Sequence, residues 1–212
     1  MPQFTDLLIQ NGVSEETVAW LLTLPVAVTF VVMARQIVGI KGFGIAVPLF
    51  IGFAISSLGF QAGFLIFSIG LAVIFAARLV LAKTRLLYLP KVGLMTIAAI
   101  AGLLTALPFL PYQERVNPVL AAFSLVIIAL SMEQFSSSLI ERGPRRTLAV
   151  LIETLLVALP VSFLLNSELV KALVFAYPVF ILAILIVFNL LLGKWTGLRI
   201  SEFLRFKSII FK

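Results

Sequence analysis

Glu153 is the most deeply placed ionisable residue of the chain, seven positions beyond Arg146 in an otherwise apolar run and so about 10 Å along a helix from that arginine. A charge in hydrocarbon costs about 2.5–3.5 kcal/mol on insertion scales and usually faces the interior of a bundle, so a carboxylate at this position calls for a partner. Glu133, Asn189, Arg35 and Lys41 fall at comparable depths inside or beside apolar runs. The expectation is a polar cluster of Arg35, Lys41, Glu133, Glu153 and Asn189 opening to the cytoplasm, in which Glu153 pairs with Lys41 or Arg35 and Asn189 is a neighbouring hydrogen-bond partner. Two kinds of chemistry are open to it. One is an ion pair that fixes helix register; the other is proton or ligand binding at a desolvated carboxylate.

Other chemistry is sparse. The chain has no His and no Cys, which removes thiolate and imidazole metal ligands, disulfides, and nucleophiles that depend on either residue. Asp6 is the single aspartate, so no aspartate pair exists for intramembrane proteolysis. Gly39, Gly42 and Gly44 around Lys41 look superficially like a phosphate loop but lack its spacing and the strand before it, and they read better as a tight re-entry into a helix. No serine is singled out to act with a lysine base. The expectation is no enzyme and no cofactor.

The elements that must position these residues follow from composition. Of 212 residues, 62% are hydrophobic and 12% charged, with a mean hydropathy of +1.19. Soluble domains are about 45–50% apolar and about 25% charged, so lipid is the solvent. Windows of about 17–25 apolar residues predict an all-α polytopic bundle of seven helices: Val18 to Met33, Gly42 to Leu58, Phe60 to Leu81, Leu89 to Leu110, Val116 to Phe135, Thr147 to Leu165 and Leu169 to Leu192. The chain divides into an outer segment 1–17, a seven-helix domain 18–193 and a basic cytoplasmic amphipathic tail 194–212. Short connections make successive helices antiparallel neighbours. Ser14 with Glu15 and Glu16 predicts an N-cap for the first span, which nothing marks as a cleaved signal. Phe4, Leu7 and Leu8 suggest a short surface helix.

Within the spans, small residues recur at every fourth position, at Gly44, Pro48, Gly52 and Ser56 and again at Ala98, Gly102 and Ala106, as close helix packing in lipid requires. Pro25, Pro48, Pro108, Pro160 and Pro178 fall inside the apolar runs, where each would remove a backbone donor.

Orientation follows from the basic residues, which concentrate in short cytoplasmic loops. With the N-terminus outside, 14 of the 16 Lys and Arg fall on inner segments, leaving only Arg115 and Lys171 outside. Arg78, Lys83, Arg85, Lys91, Arg142, Arg145, Arg146, Arg199, Arg205 and Lys207 would form a cytoplasmic surface for anionic lipid or an acidic partner. Residues 195–207 mix Ile200, Phe203 and Leu204 with Arg199, Glu202, Arg205 and Lys207, the pattern of an interfacial helix. A net charge of +7 distributed in this way indicates membrane lipid and not nucleic acid.

The run Arg35-Gln36-Ile37-Val38-Gly39-Ile40-Lys41-Gly42-Phe43-Gly44-Ile45 followed by Pro48 resembles a bacterial membrane family, the seven-helix domain usually fused behind an inactive transglutaminase-like domain. Leu86-Leu87-Tyr88-Leu89-Pro90, Ile140-Glu141-Arg142-Gly143, Asn189-Leu190-Leu191-Leu192-Gly193, Thr196-Gly197-Leu198-Arg199 and the later Glu202, Leu204, Arg205 and Phe206 extend the similarity over the whole chain. Ala46, Trp195 and Phe203 stand where the family has tyrosines, which puts in doubt any role resting on their hydroxyls. The resemblance implies a periplasmic transglutaminase-like part ahead of the helices, consistent with an outer N-terminus. About 17 residues precede the first helix here, so the chain is either a stand-alone version or a fragment. Family neighbours of the ATP-grasp, glutamate-adding type imply a cell-envelope context.

The function expected is therefore a non-enzymatic, multi-pass domain of a bacterial inner membrane that anchors or couples a periplasmic transglutaminase-like protein or domain to the cytoplasmic face. The alternative is a small transporter or channel around Glu153. A lipid-modifying enzyme using Glu133 and Glu153, or a seven-helix receptor, has less support. The sequence leaves the oligomeric state open.

Overall fold

The computed structural model describes residues 9–109 and 118–194. Arg115, Arg199, Arg205, Lys207, the surface helix suggested by Phe4, Leu7 and Leu8, and the amphipathic tail helix all lie outside the described residues. The described residues form α-helices, short π and 3-10 turns and loops, with no strand among them. In chain order the helices are α1 (Glu15–Met33), α2 (Ala46–Leu58), α3 (Phe60–Leu81), α4 (Tyr88–Ala106), α5 (Pro118–Glu141), α6 (Pro144–Asn166), α7 (Glu168–Ala176) and α8 (Pro178–Gly193).

Two compact units divide the chain, residues 42–158 in one and residues 1–41 with 159–212 in the other. In the first, α2, α3, α4 and α5 pack around Ile51, Ile55, Ile66, Phe67, Met95, Ile128, Met132 and Phe135, all fully buried. Glycine sets how closely these helices approach. A Cβ on Gly63 would lie 2.7 Å from the Ile55 Cα, and one on Gly102 would lie 2.6 Å from a Val73 methyl carbon. Pro48, Gly52 and Ser56 of the predicted small-residue stripe are buried along α2, and the α3–α4 contact at Gly102 is packing of the kind its own stripe predicts.

In the second unit, α1 packs against α7 and α8, with Val18, Leu22 and Val174 buried together. The predicted cap is present: the Ser14 hydroxyl accepts from the Thr17 amide at 3.3 Å, with Glu15 and Glu16 in the first turn. α1 runs into a π-helical turn, Ala34–Val38, and is stopped by Gly39, whose φ of 87° few other residues adopt readily.

Two predicted spans take a different form. The run from Gly42 yields a helix only from Ala46, because Gly42 and Gly44 have φ of 36° and 62° and turn the chain before α2 can start. Its 13 residues reach about 20 Å, less than a hydrocarbon core of about 30 Å. The run from Leu169 to Leu192 is broken: Tyr177, at φ −136° and ψ 56°, separates α7 from α8, and the two helices are bent by 104°. Pro178 is the cause, since it has no amide hydrogen and disfavours helical geometry in the residue before it. Five helices among the described residues are long and apolar enough to cross a membrane, six if the bent pair counts as one span. Of the five prolines expected within spans, Pro25 and Pro160 are inside helices, while Pro48 lies in the first turn of α2, Pro108 in a 3-10 turn and Pro178 at the first position of α8.

Candidate functional site

Glu153 and Thr154 lie on adjacent positions of α6, half-buried and fully buried respectively, and both act on the glycine loop before α2. A Glu153 carboxylate oxygen (Oε2) accepts from the Gly42 amide at 3.0 Å, and the Thr154 hydroxyl accepts from the Phe43 amide at 3.0 Å. Thr154 in turn donates to the Val150 carbonyl at 2.7 Å, within its own helix. Consecutive backbone donors that no helix satisfies are thereby paired with consecutive side chains. Glycine is needed at position 42 for its φ of 36°, which other residues rarely adopt. Phe43 adds an apolar anchor, stacked edge-on against Phe135 at 4.7 Å, and Phe135 meets Phe67 at 5.6 Å. The clamp ties a loop, α6 and the α3–α5 core together within one unit.

The other predicted cluster members are distributed as follows. Glu133 belongs to the same unit as Glu153 and is exposed on α5. Arg35, Lys41 and Asn189 belong to the other unit. Asn189, half-buried on α8, donates through Nδ2 to the Thr29 hydroxyl of α1 at 2.7 Å and to the Leu185 carbonyl at 2.8 Å, which makes it a link between α1 and α8. Arg35 sits in the π-helical turn with its Nη1 atom buried and without a hydrogen-bond partner among the described residues. Lys41 is exposed at the end of that stretch.

Among the predicted basic surface residues, Lys83 and Arg85 are exposed on the α3–α4 connection, Arg142 on the α5–α6 connection and Arg145 and Arg146 in the first turn of α6, with Arg78 and Lys91 half-buried at the ends of α3 and α4. Sequence reasoning missed the partners that fix this end of the unit. The Tyr88 hydroxyl donates to a Glu141 carboxylate oxygen at 2.6 Å, joining the start of α4 to the end of α5, and the Ser138 and Thr147 hydroxyls bond across the α5–α6 turn at 3.1 Å. Tyr88 and Glu141 each lie in a stretch that carries the family resemblance, and that was the available signal. Among the described residues no group of His, Cys, Asp and Glu could hold a metal ion.

Long apolar helices, polar groups used to tie helices and loops together, and a basic rim define a polytopic α-helical membrane domain. Residues 5–210 match the family described as seven transmembrane helices usually fused to an inactive transglutaminase, and the chain belongs to that family. None of the curated proteins and none of the solved structures matches the chain.

Proposed function

We propose that this chain is a non-enzymatic membrane anchor that holds a transglutaminase-like partner on the periplasmic side of a bacterial inner membrane and couples it to the cytoplasmic face. Membership of a family usually fused to an inactive transglutaminase is the observation that carries this reading. The concentration of Lys and Arg on alternate connections supports an outer N-terminus and a cytoplasmic C-terminus. On that orientation Arg78, Lys83, Arg85, Lys91, Arg142, Arg145 and Arg146 form a cytoplasmic surface suited to anionic lipid or an acidic partner. The use of Glu153 to hold a loop amide favours a structural carboxylate over a transporting one. Purification of the chain from native membranes in mild detergent, with the associated proteins identified by mass spectrometry, tests the reading. A transglutaminase-like protein at near-stoichiometric yield is the expected result, and its absence from both the chain's own polypeptide and the purified complex counts against the anchor.

One observation favours the transporter reading. The break between α7 and α8 and the Asn189–Thr29 pair on the α1–α8 contact bring interrupted helix and polar groups into one unit, as ion-coupled carriers do.

A further inference from the structure

The groove between α1 and α8 is apolar and leads to two cations. It holds about 460 Å³ and is lined by Leu24, Pro25 and Val28 of α1 and by Leu182, Ile186 and Leu190 of α8. Ile186 and Leu190 are 62% and 64% exposed, so the groove opens outward from its unit. Its two polar residues, Thr29 and Asn189, are bonded to each other. The two helices run in the same direction: Val18 and Leu22, early in α1, pack with Val174 and Ile181, while Thr29, later in α1, meets Asn189, later in α8. Arg35 follows Thr29 by six residues and Lys194 follows Asn189 by five, so both stand about 7–9 Å further on, at the same end of the groove.

Charge decides what fits there. Nη1 of Arg35 is covered by protein without a hydrogen bond while the residue as a whole stays partly exposed, so packing positions the guanidinium and leaves it an accessible edge. The π-helical turn that carries it is a distortion frequent at functional sites. Lys194 is exposed at the C-cap of α8, and among the described residues no ion pair reaches either cation. The described carboxylates of this unit, Glu15, Glu16 and Glu168, stand in the first turns of α1 and α7 at the opposite end, where Lys171 pairs with Glu168. The end with Arg35 and Lys194 thus has two cations and, among the described residues, no anion to meet them. A guanidinium fork matches a phosphate and an ammonium adds a point charge, so an apolar groove leading to this pair suits an amphiphile with an anionic head.

We infer that the α1–α8 groove binds one anionic phospholipid, with an acyl chain along Pro25, Val28 and Ile186 and the phosphate held by Arg35 and Lys194. This site goes beyond the anchor reading and does not depend on it. It uses neither the basic surface on the helix connections nor an assigned orientation in the membrane.

The test uses the full chain in detergent, offered equal amounts of phosphatidylglycerol and phosphatidylcholine with the same acyl chains, and counts the lipid retained by native mass spectrometry. The first lipid held should be phosphatidylglycerol by about tenfold. Arg35→Gln should bring that preference near parity and Lys194→Gln should lower it severalfold. Lys171→Gln, which removes the same charge from the opposite end, should leave it unchanged. Val28→Trp, whose ring fills the groove, should reduce retention of both lipids, and glycerol phosphate, a head without chains, should not displace the lipid at equal concentration. Thermal melting of each variant separates lost binding from lost fold, and the exposed Lys194 carries the test if Arg35→Gln does not fold. Equal retention of the two lipids by the wild-type chain, or a full preference in a folded Lys194→Gln, overturns the inference. So does an equal loss in Lys171→Gln, which would assign the preference to net charge, unchanged retention in Val28→Trp, or displacement by glycerol phosphate, which would make the site one for a soluble phosphate.

Discussion

At the scale of single residues, Glu153 and Thr154 act as acceptors for backbone amides that the glycine loop leaves outside any helix. An amide oxygen can replace a carboxylate oxygen in that role, whereas a hydrocarbon leaves a partly buried donor unsatisfied at a cost of about 1–3 kcal/mol. Glu153→Leu should therefore melt several degrees below Glu153→Gln in detergent; equal melting of the two would show that the Gly42 contact contributes nothing to stability. Thr154→Val removes the acceptor for Phe43 without changing volume and should lose about 1–3 kcal/mol by the same measurement. That Glu153 needs a partner was legible in the sequence from its depth alone. Its Gly42 partner was not, because a backbone amide has no residue type to announce it and is freed here only by the positive φ of Gly42 and Gly44. Asn189 was legible as a polar group in an apolar run, but its partner Thr29 looks in sequence like any threonine of a membrane helix.

Among the helices, close approach and interruption are the two properties that composition only partly reveals. Gly63 allows the α2–α3 hairpin to close with a glycine Cα against backbone. Gly63→Ala must push α2 and α3 apart and should cost about 1–3 kcal/mol, whereas Gly93→Ala, which meets nothing within 4 Å in α4, should be neutral or raise stability by up to about 1 kcal/mol from helix propensity. Parallel thermal unfolding of the two variants checks the contrast, and equal losses would contradict the packing described for Gly63. Apolar runs located α1, α3, α4, α5 and α6 closely, since about twenty apolar residues have few other options. They missed the break at Tyr177 because hydropathy sums side chains and carries no backbone angle, and proline is common in membrane helices. Replacing Pro178 with Leu restores a backbone donor, and spin labels at Leu169 and Phe188 should then report a longer separation as the 104° bend opens. An unchanged distance would place the cause of the bend elsewhere.

For the whole molecule, the orientation proposed above rests on charge and is consistent with the family. Lys and Arg concentrate on alternate connections, and a transglutaminase-like part ahead of the helices would sit outside if the first helix enters from that side. Reporter fusions should be active in the periplasm at the N-terminus and in the cytoplasm at the C-terminus; the reverse pattern would invert the assignment of the basic surface. The family is described as seven transmembrane helices; among the described residues five helices have spanning length, six with the bent pair counted as one span, and α2 is shorter. On the proposed function this domain holds a partner, and its half-buried Glu153 carboxylate serves the fold and not a passage. The most direct test is proton and ion flux into liposomes containing the chain, wild type beside a folded Glu153→Gln. Flux at the level of protein-free liposomes in both is the predicted result. Flux well above that level in the wild type, abolished by Glu153→Gln without loss of melting temperature, would contradict it.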